Sequence, residues 1–167
     1  TRLALQLAAG VTDAYADGVW FADLAPVSDP RLVANAVAST LGVREEPGQP
    51  IIGALQRYVA DRTLLLVLDN CEHLLLACAQ LARDLLHAGQ KLTILATSRE
   101  PLHLSGEVTL PLATLPSPNP AGGHPLAALS EYAAVRLFLD RAVAVRPNFA
   151  LTHENATAVA RICHDLD

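Results

Sequence analysis

Leu64-Leu-Leu-Val-Leu-Asp69-Asn-Cys-Glu72-His73 decides how the rest of the chain is read. Five consecutive apolar residues run into a carboxylate and then into a polar turn. An apolar run without polar alternation is the pattern of a strand buried on both faces, as at the centre of a parallel sheet. Asp69 then stands at the strand's carboxyl end, the rim where open α/β sheets place their ligands. Two readings of this carboxylate are open: it serves a ligand, or it caps the helix that follows a core strand.

Helices and strands alternate on both sides of this run. Leu3, Ala4, Leu7 and Ala8 recur at helical spacing over Thr1 to Gly10, with Gly10 as the stop. A strand is predicted at Val19-Trp-Phe-Ala22, ending at Asp23. Asp29-Pro30 supplies a cap and a first-turn proline for a helix facing inward through Leu32, Val33, Ala36, Val37 and Leu41, closed by Gly42. Arg44 to Pro50 reads as a polar loop, and Ile51, Ile52, Leu55, Tyr58 and Val59 as the apolar side of another helix. After Asp69 the pattern predicts a long helix from about Glu72 to Ala88, ended by Gly89, with Cys78 on its apolar face. Leu92-Thr-Ile-Leu-Ala-Thr97 reads as a second buried strand, and Val108 to Leu112 as a fourth strand, on an edge because of Pro111.

Strands alternating with crossover helices imply a parallel, three-layer α/β core over residues 1–112. Five prolines between Pro111 and Pro125, with Gly122-Gly123, then mark an irregular connection over 113–129. Beyond it the chain reads as helical through 130–167, with Ser130 and Thr152 as caps and Pro147-Asn148 as the break.

Composition excludes several classes. Of 167 residues 51% are hydrophobic, yet no apolar run reaches the ~20 residues that span a bilayer. A net charge of −5 without a basic cluster argues against this segment gripping nucleic acid directly. Three cysteines with no CxxC pair indicate neither a disulfide framework nor zinc, and thiols of this kind suit a reducing cytoplasm. The six histidines show no paired-ligand spacing, and no G-x-S-x-G elbow exists. With no methionine at all, the chain is expected to be cut from a longer one.

In a parallel sheet Asp69 and Thr97-Ser98-Arg99 fall on one rim. An acidic residue after a buried strand is the Walker B arrangement, which holds magnesium beside a nucleoside triphosphate. A nearby guanidinium offers a fork of donors to phosphate oxygens; the other reading of Arg99 is a solvent-facing side chain paired with Glu100 or Glu107. Thr1, opening directly into a helix, matches the hydroxyl that ends the phosphate loop G-x-x-x-x-G-K-[ST].

Taken in order, Thr1-Arg-Leu-Ala, Leu64 to His73 and Ile94-Leu-Ala-Thr-Ser98-Arg99 resemble the NB-ARC-like STAND ATPases. The chain is most similar to those of large bacterial transcriptional regulators of the antibiotic-regulatory and LuxR-like type. Ser130-Glu-Tyr-Ala-Ala-Val135-Arg-Leu-Phe138 resembles the start of their helical lid. The resemblance implies a P-loop NTPase core lacking its first strand and phosphate loop, followed by part of the lid. It implies a switch that ADP holds closed and that ATP opens for self-association, with Mg2+ as the metal and slow hydrolysis as a timer. Thr1 and Asp69 would then hold magnesium, Thr1 and Arg99 the nucleotide, and Glu72 would polarise the attacking water. Asn70 stands where many relatives carry a second acid, so hydrolysis is expected to be slow. Sensor and DNA-binding domains are expected outside this chain, and residues 1–167 alone are expected to bind ATP weakly and to be inactive. The rival readings are an ATPase that turns over with each working cycle and an α/β scaffold that binds partners without nucleotide.

Overall fold

In the computed structural model, which describes residues 1–45 and 48–166, all six residues of Leu64–Asp69 are buried. Val19–Asp23 pairs with it in parallel on one side and Leu92–Ala96 on the other, giving a three-stranded sheet in chain order, β1-β2-β3. The register sets Asp23 beside Asp69 and Ala96 beside Leu68.

Both faces of β2 are covered because side chains alternate along a strand. Leu64, Leu66 and Leu68 point into the larger core, with Val33, Val37, Leu55, Val59, Cys78 and Leu85. Those partners come from α2 (Val33–Leu41), α3 (Ile51–Val59) and α4 (Leu75–Ala88). Leu65 and Val67 point the other way, against Ala4 and Ala8 of α1 (Arg2–Gly10). The result is a three-layer α/β arrangement. In α1 the apolar spacing holds, but Ala4 and Ala8 are the buried pair while Leu3 and Leu7 are exposed.

Local chemistry sets the helix ends. Asp29 accepts the N–H of Arg31 at 2.9 Å and caps a 3-10 turn, Pro30–Leu32, that leads into α2. Gly42 closes α2 in the left-handed region at φ 69°, where a side chain would be strained. Gly89 ends α4 for a different reason. Its φ is −112°, but a Cβ there would lie 2.8 Å from the Val59 carbonyl oxygen and 3.2 Å from Leu92 Cβ. Gly89→Ala is therefore expected to lower stability by about 1–3 kcal/mol, as overpacking against backbone does, read as a fall in the urea midpoint at unchanged slope.

Four expectations are corrected. The helix after Asp69 does not begin at Glu72: Cys71–Leu74 is a 3-10 turn and α4 starts at Leu75. Leu92–Ala96 is not buried throughout; it is an outer strand of the described sheet, with Leu92 its one buried residue. No strand forms at 108–112, where Val108, Leu110 and Leu112 are exposed. Pro111 offers no N–H to a neighbour, and apolar alternation without a pairing edge does not make a strand. Finally, neither Ser130 nor Thr152 caps a helix. Ser130 lies inside α5 (Leu126–Glu131), its hydroxyl donating to the Leu126 carbonyl, and α7 (Ala156–Asp165) opens after Asn155, whose side chain makes no capping bond to the helix. Of the expected polar loop, Glu46 and Pro47 lie outside the described residues, as does Asp167 at the end of the helical segment.

The chain divides into two compact units, Thr1–Thr109 and Leu110–Asp167. The second unit is helical, with α6 (Ala133–Val145) between α5 and α7. Its core is Val135, Val159 and Cys163, packed by Phe138 and Phe149 edge to face at 6.0 Å. Asn155 ties the turn before α7, donating to Ala150 O and accepting the Thr152 N–H. No helix among the described residues is long and apolar enough to cross a membrane.

Candidate functional site

The carboxyl rim of β2 gathers the polar side chains of interest. Asp69 is the one polar or charged residue in the buried set of the described chain, at 4% exposure. Two hydroxyls hold it: Thr1 Oγ1 donates to Oδ2 at 2.7 Å, and Thr97 Oγ1 donates to Oδ1 at 2.6 Å. The backbone nitrogen of Thr1 also lies 3.4 Å from Oδ1. Residues 68 positions apart thus meet because α1 packs over β1 and β2 and presents its cap residue to the rim.

Burial pushes the Asp69 carboxyl up and the hydrogen bonds from the Thr97 and Thr1 hydroxyls push it down, and the net displacement is downward. The group is therefore a fixed carboxylate at neutral pH.

Around it the backbone is stitched from strand to strand. Leu24 N–H donates to Asp69 O at 3.1 Å, Thr97 N–H to Leu68 O at 2.9 Å, and Cys71 N–H to Thr97 O at 2.9 Å. Asn70 takes the left-handed conformation, φ 67° and ψ 49°, and its N–H donates to Thr97 Oγ1 at 3.0 Å. Asn is among the few side chains that adopt this region readily. His73, in the 3-10 turn, sits with Nε2 2.8 Å from Val27 O, which ties the segment after β1 to the one after β2.

Arg99 and Glu72 lie on the same rim but pair with each other, Nε to Oε1 at 3.6 Å, with Arg99 88% exposed and Glu72 28%. Glu107, one of the partners weighed for Arg99, instead accepts the N–H groups of Leu102 and Leu104. The structure thus brings Thr1 onto Asp69, and Arg99 onto Glu72. Thr97 is the residue that reading the motifs passed over as anything more than part of Thr97-Ser98-Arg99. Its signal was the register: a hydroxyl one residue past a strand that runs parallel to β2 must stand beside Asp69.

Cys71 and Cys78 are both fully buried and free. Contact with Cys78, together with burial, pushes the Cys71 thiol well above its ordinary range, so this is an inert thiol in a core.

Chemically, one buried carboxylate and a hydroxyl are hard oxygen donors. Among the described residues no group of three or more His, Cys, Asp or Glu converges on a point. That donor set suits magnesium, which binds one or two carboxylates plus the oxygens of a phosphate ligand and water. It is a poor match to a zinc or calcium cage built wholly from protein.

A three-layer parallel α/β unit with an acid held at its strand ends is the class that this geometry defines. No family model matches the chain, and no solved structure does. Among curated proteins it is 42% identical over 167 residues to Rv0890c of Mycobacterium tuberculosis, which carries the provisional name of HTH-type transcriptional regulator. A Mycobacterium bovis protein of the same provisional description, Mb0914c, aligns equally well. In both cases the match takes in 100% of this chain and 17% of the relative. The uncharacterized protein Rv0894 of M. tuberculosis is 39% identical over 167 residues, covering 39% of its length. The chain therefore spans well under half of the curated relatives it matches.

Proposed function

We propose that this chain is the core of a nucleotide-operated switch within a transcriptional regulator. In this reading ADP with magnesium holds a resting state, ATP promotes self-association, and hydrolysis is slow. The single observation that carries it is the Thr1–Asp69 hydrogen bond: a helix-opening hydroxyl set on the carboxylate at the end of a buried strand. In phosphate-loop proteins these two side-chain types share the magnesium. The provisional name of the relatives points to regulation of transcription, with any DNA-binding and sensor domains outside these residues.

In this reading each residue of the rim has a part. Asp69, ionised and fixed, would hold the metal, and Thr1 would supply the second protein oxygen. Arg99, exposed at the rim, would leave Glu72 for the terminal phosphate. Glu72 is then free to orient a water. Magnesium, when bound, would offset charge on the phosphate oxygens. Asn70 serves the backbone turn rather than proton transfer, which agrees with a slow hydrolytic step.

The test is to purify the full-length protein, denature it and identify what nucleotide it releases. Near-stoichiometric ADP is expected, with turnover at or below roughly one per minute against the ~10 per second typical of enzymes. A protein that is empty and also fails to take up magnesium-ATP overturns the reading in favour of a partner-binding scaffold. Turnover at ordinary enzymatic rates overturns the switch in favour of a cycling ATPase.

A further inference from the structure

The geometry points to Thr97 as a positioning residue for the metal, a role that rests on the nucleotide-switch reading above. Its hydroxyl has one proton, and that proton is committed: it is donated to Asp69 Oδ1 at 2.6 Å. The same oxygen accepts the Asn70 N–H at 3.0 Å, so both its donor and an acceptor position are used within the rim. The Thr97 backbone is held as well, by its N–H to Leu68 O and by Cys71 N–H to its own carbonyl, each at 2.9 Å.

These four bonds have one consequence for Asp69. A carboxylate on a free side chain rotates and offers either oxygen. Here the Thr97 hydroxyl ties Oδ1 to the neighbouring strand end, with the Thr1 nitrogen 3.4 Å from the same oxygen, while Oδ2 takes the hydroxyl of Thr1, the other residue assigned to the metal. Thr97 thus selects which oxygen faces the ligand and keeps Asn70 in its left-handed turn. It does so without touching metal or nucleotide. Hydrogen bonds of this outer kind set ligand orientation, and losing one typically costs about 10–100-fold in metal affinity. Because Arg99 follows two residues later on the same strand end, the residue that reads phosphate and the one that orients the metal ligand share a single short segment.

The experiment titrates magnesium against a fluorescent ADP bound to the full-length protein, with a parallel nucleotide titration in EDTA. Thr97→Val is expected to raise the magnesium needed for half-saturation by about tenfold or more while leaving binding in EDTA unchanged. Thr97→Ser, which keeps the hydroxyl, is expected to restore the wild-type requirement. Asp69→Ala is the reference for loss of the metal site. An unchanged magnesium requirement in Thr97→Val, beside a lost one in Asp69→Ala, overturns the role of Thr97 and leaves the switch reading standing. Equal weakening with and without magnesium also overturns it, since a merely structural residue behaves so. If Asp69→Ala itself changes nothing, the switch reading fails and takes the Thr97 role with it. Should Thr97→Val not fold, Thr97→Cys is read in the same way, since it keeps the space and replaces a strong donor with a weak one.

Discussion

Leu66→Ala is expected to lower the unfolding free energy of the α/β unit by about 3–5 kcal/mol. Leu66 is 0% exposed, sits mid-way along the central strand and shares the larger core with residues from α2, α3 and α4. Removing its side chain forfeits the transfer energy of the buried methyl and methylene groups and leaves a cavity. The surroundings cannot fill that cavity freely, because both neighbouring strands are fixed by the parallel ladder. Leu76→Ala is the control: on α4 but 89% exposed, it is expected to change stability by no more than about 0.5 kcal/mol. Urea unfolding followed by circular dichroism checks both. A loss at Leu66 no larger than at Leu76 would show that β2 is not the centre of the sheet.

Asp69→Asn is expected to cost about 1–3 kcal/mol at pH 7, because it replaces a charged acceptor of two hydroxyl bonds with a neutral amide of the same size. Its pH dependence is the sharper signature. The folded-state carboxyl lies below its ordinary value of 3.8, so the ionised form is the one that folding favours. That contribution is complete above the ordinary carboxylate range and is lost as pH falls through the lowered folded value. The gap between wild type and Asp69→Asn should therefore be constant from neutral pH down to about 4 and shrink below it. A gap that widens in acid would mean that the native state holds Asp69 protonated, against the hydrogen bonds described.

Much of the α/β unit was legible because its signals are local or strongly periodic. An uninterrupted apolar run placed β2, and Asp29-Pro30 and Gly42 bracketed the α2 segment, since capping and left-handed closure depend on a few adjacent residues. What failed depended on distant partners. Leu92–Ala96 has the composition of a central strand, yet its burial is set by what lies along its outer edge, which composition does not encode. Val108 to Leu112 alternates like a strand but meets no edge to pair with. Thr152 is a good cap by type, yet α7 opens three residues later, after Asn155, whose side chain binds the Ala150 and Thr152 backbone groups of the preceding turn. At the rim, the position of Asp69 could be read from the strand that precedes it. The hydroxyl of Thr97 could be placed only through the register, and the Glu72–Arg99 pair only through the spacing of two strand ends.

The cysteines give this chain built-in reporters of opening. Cys71 and Cys78 belong to the unit Thr1–Thr109 and Cys163 to the unit Leu110–Asp167, and all three are free and buried. A thiol reagent meets a given sulfur only when the structure around it opens, so alkylation rate measures the free energy of that opening. Peptide mapping after a brief pulse separates Cys163 from the other two, and so clocks the breathing of each unit in one experiment without adding a probe.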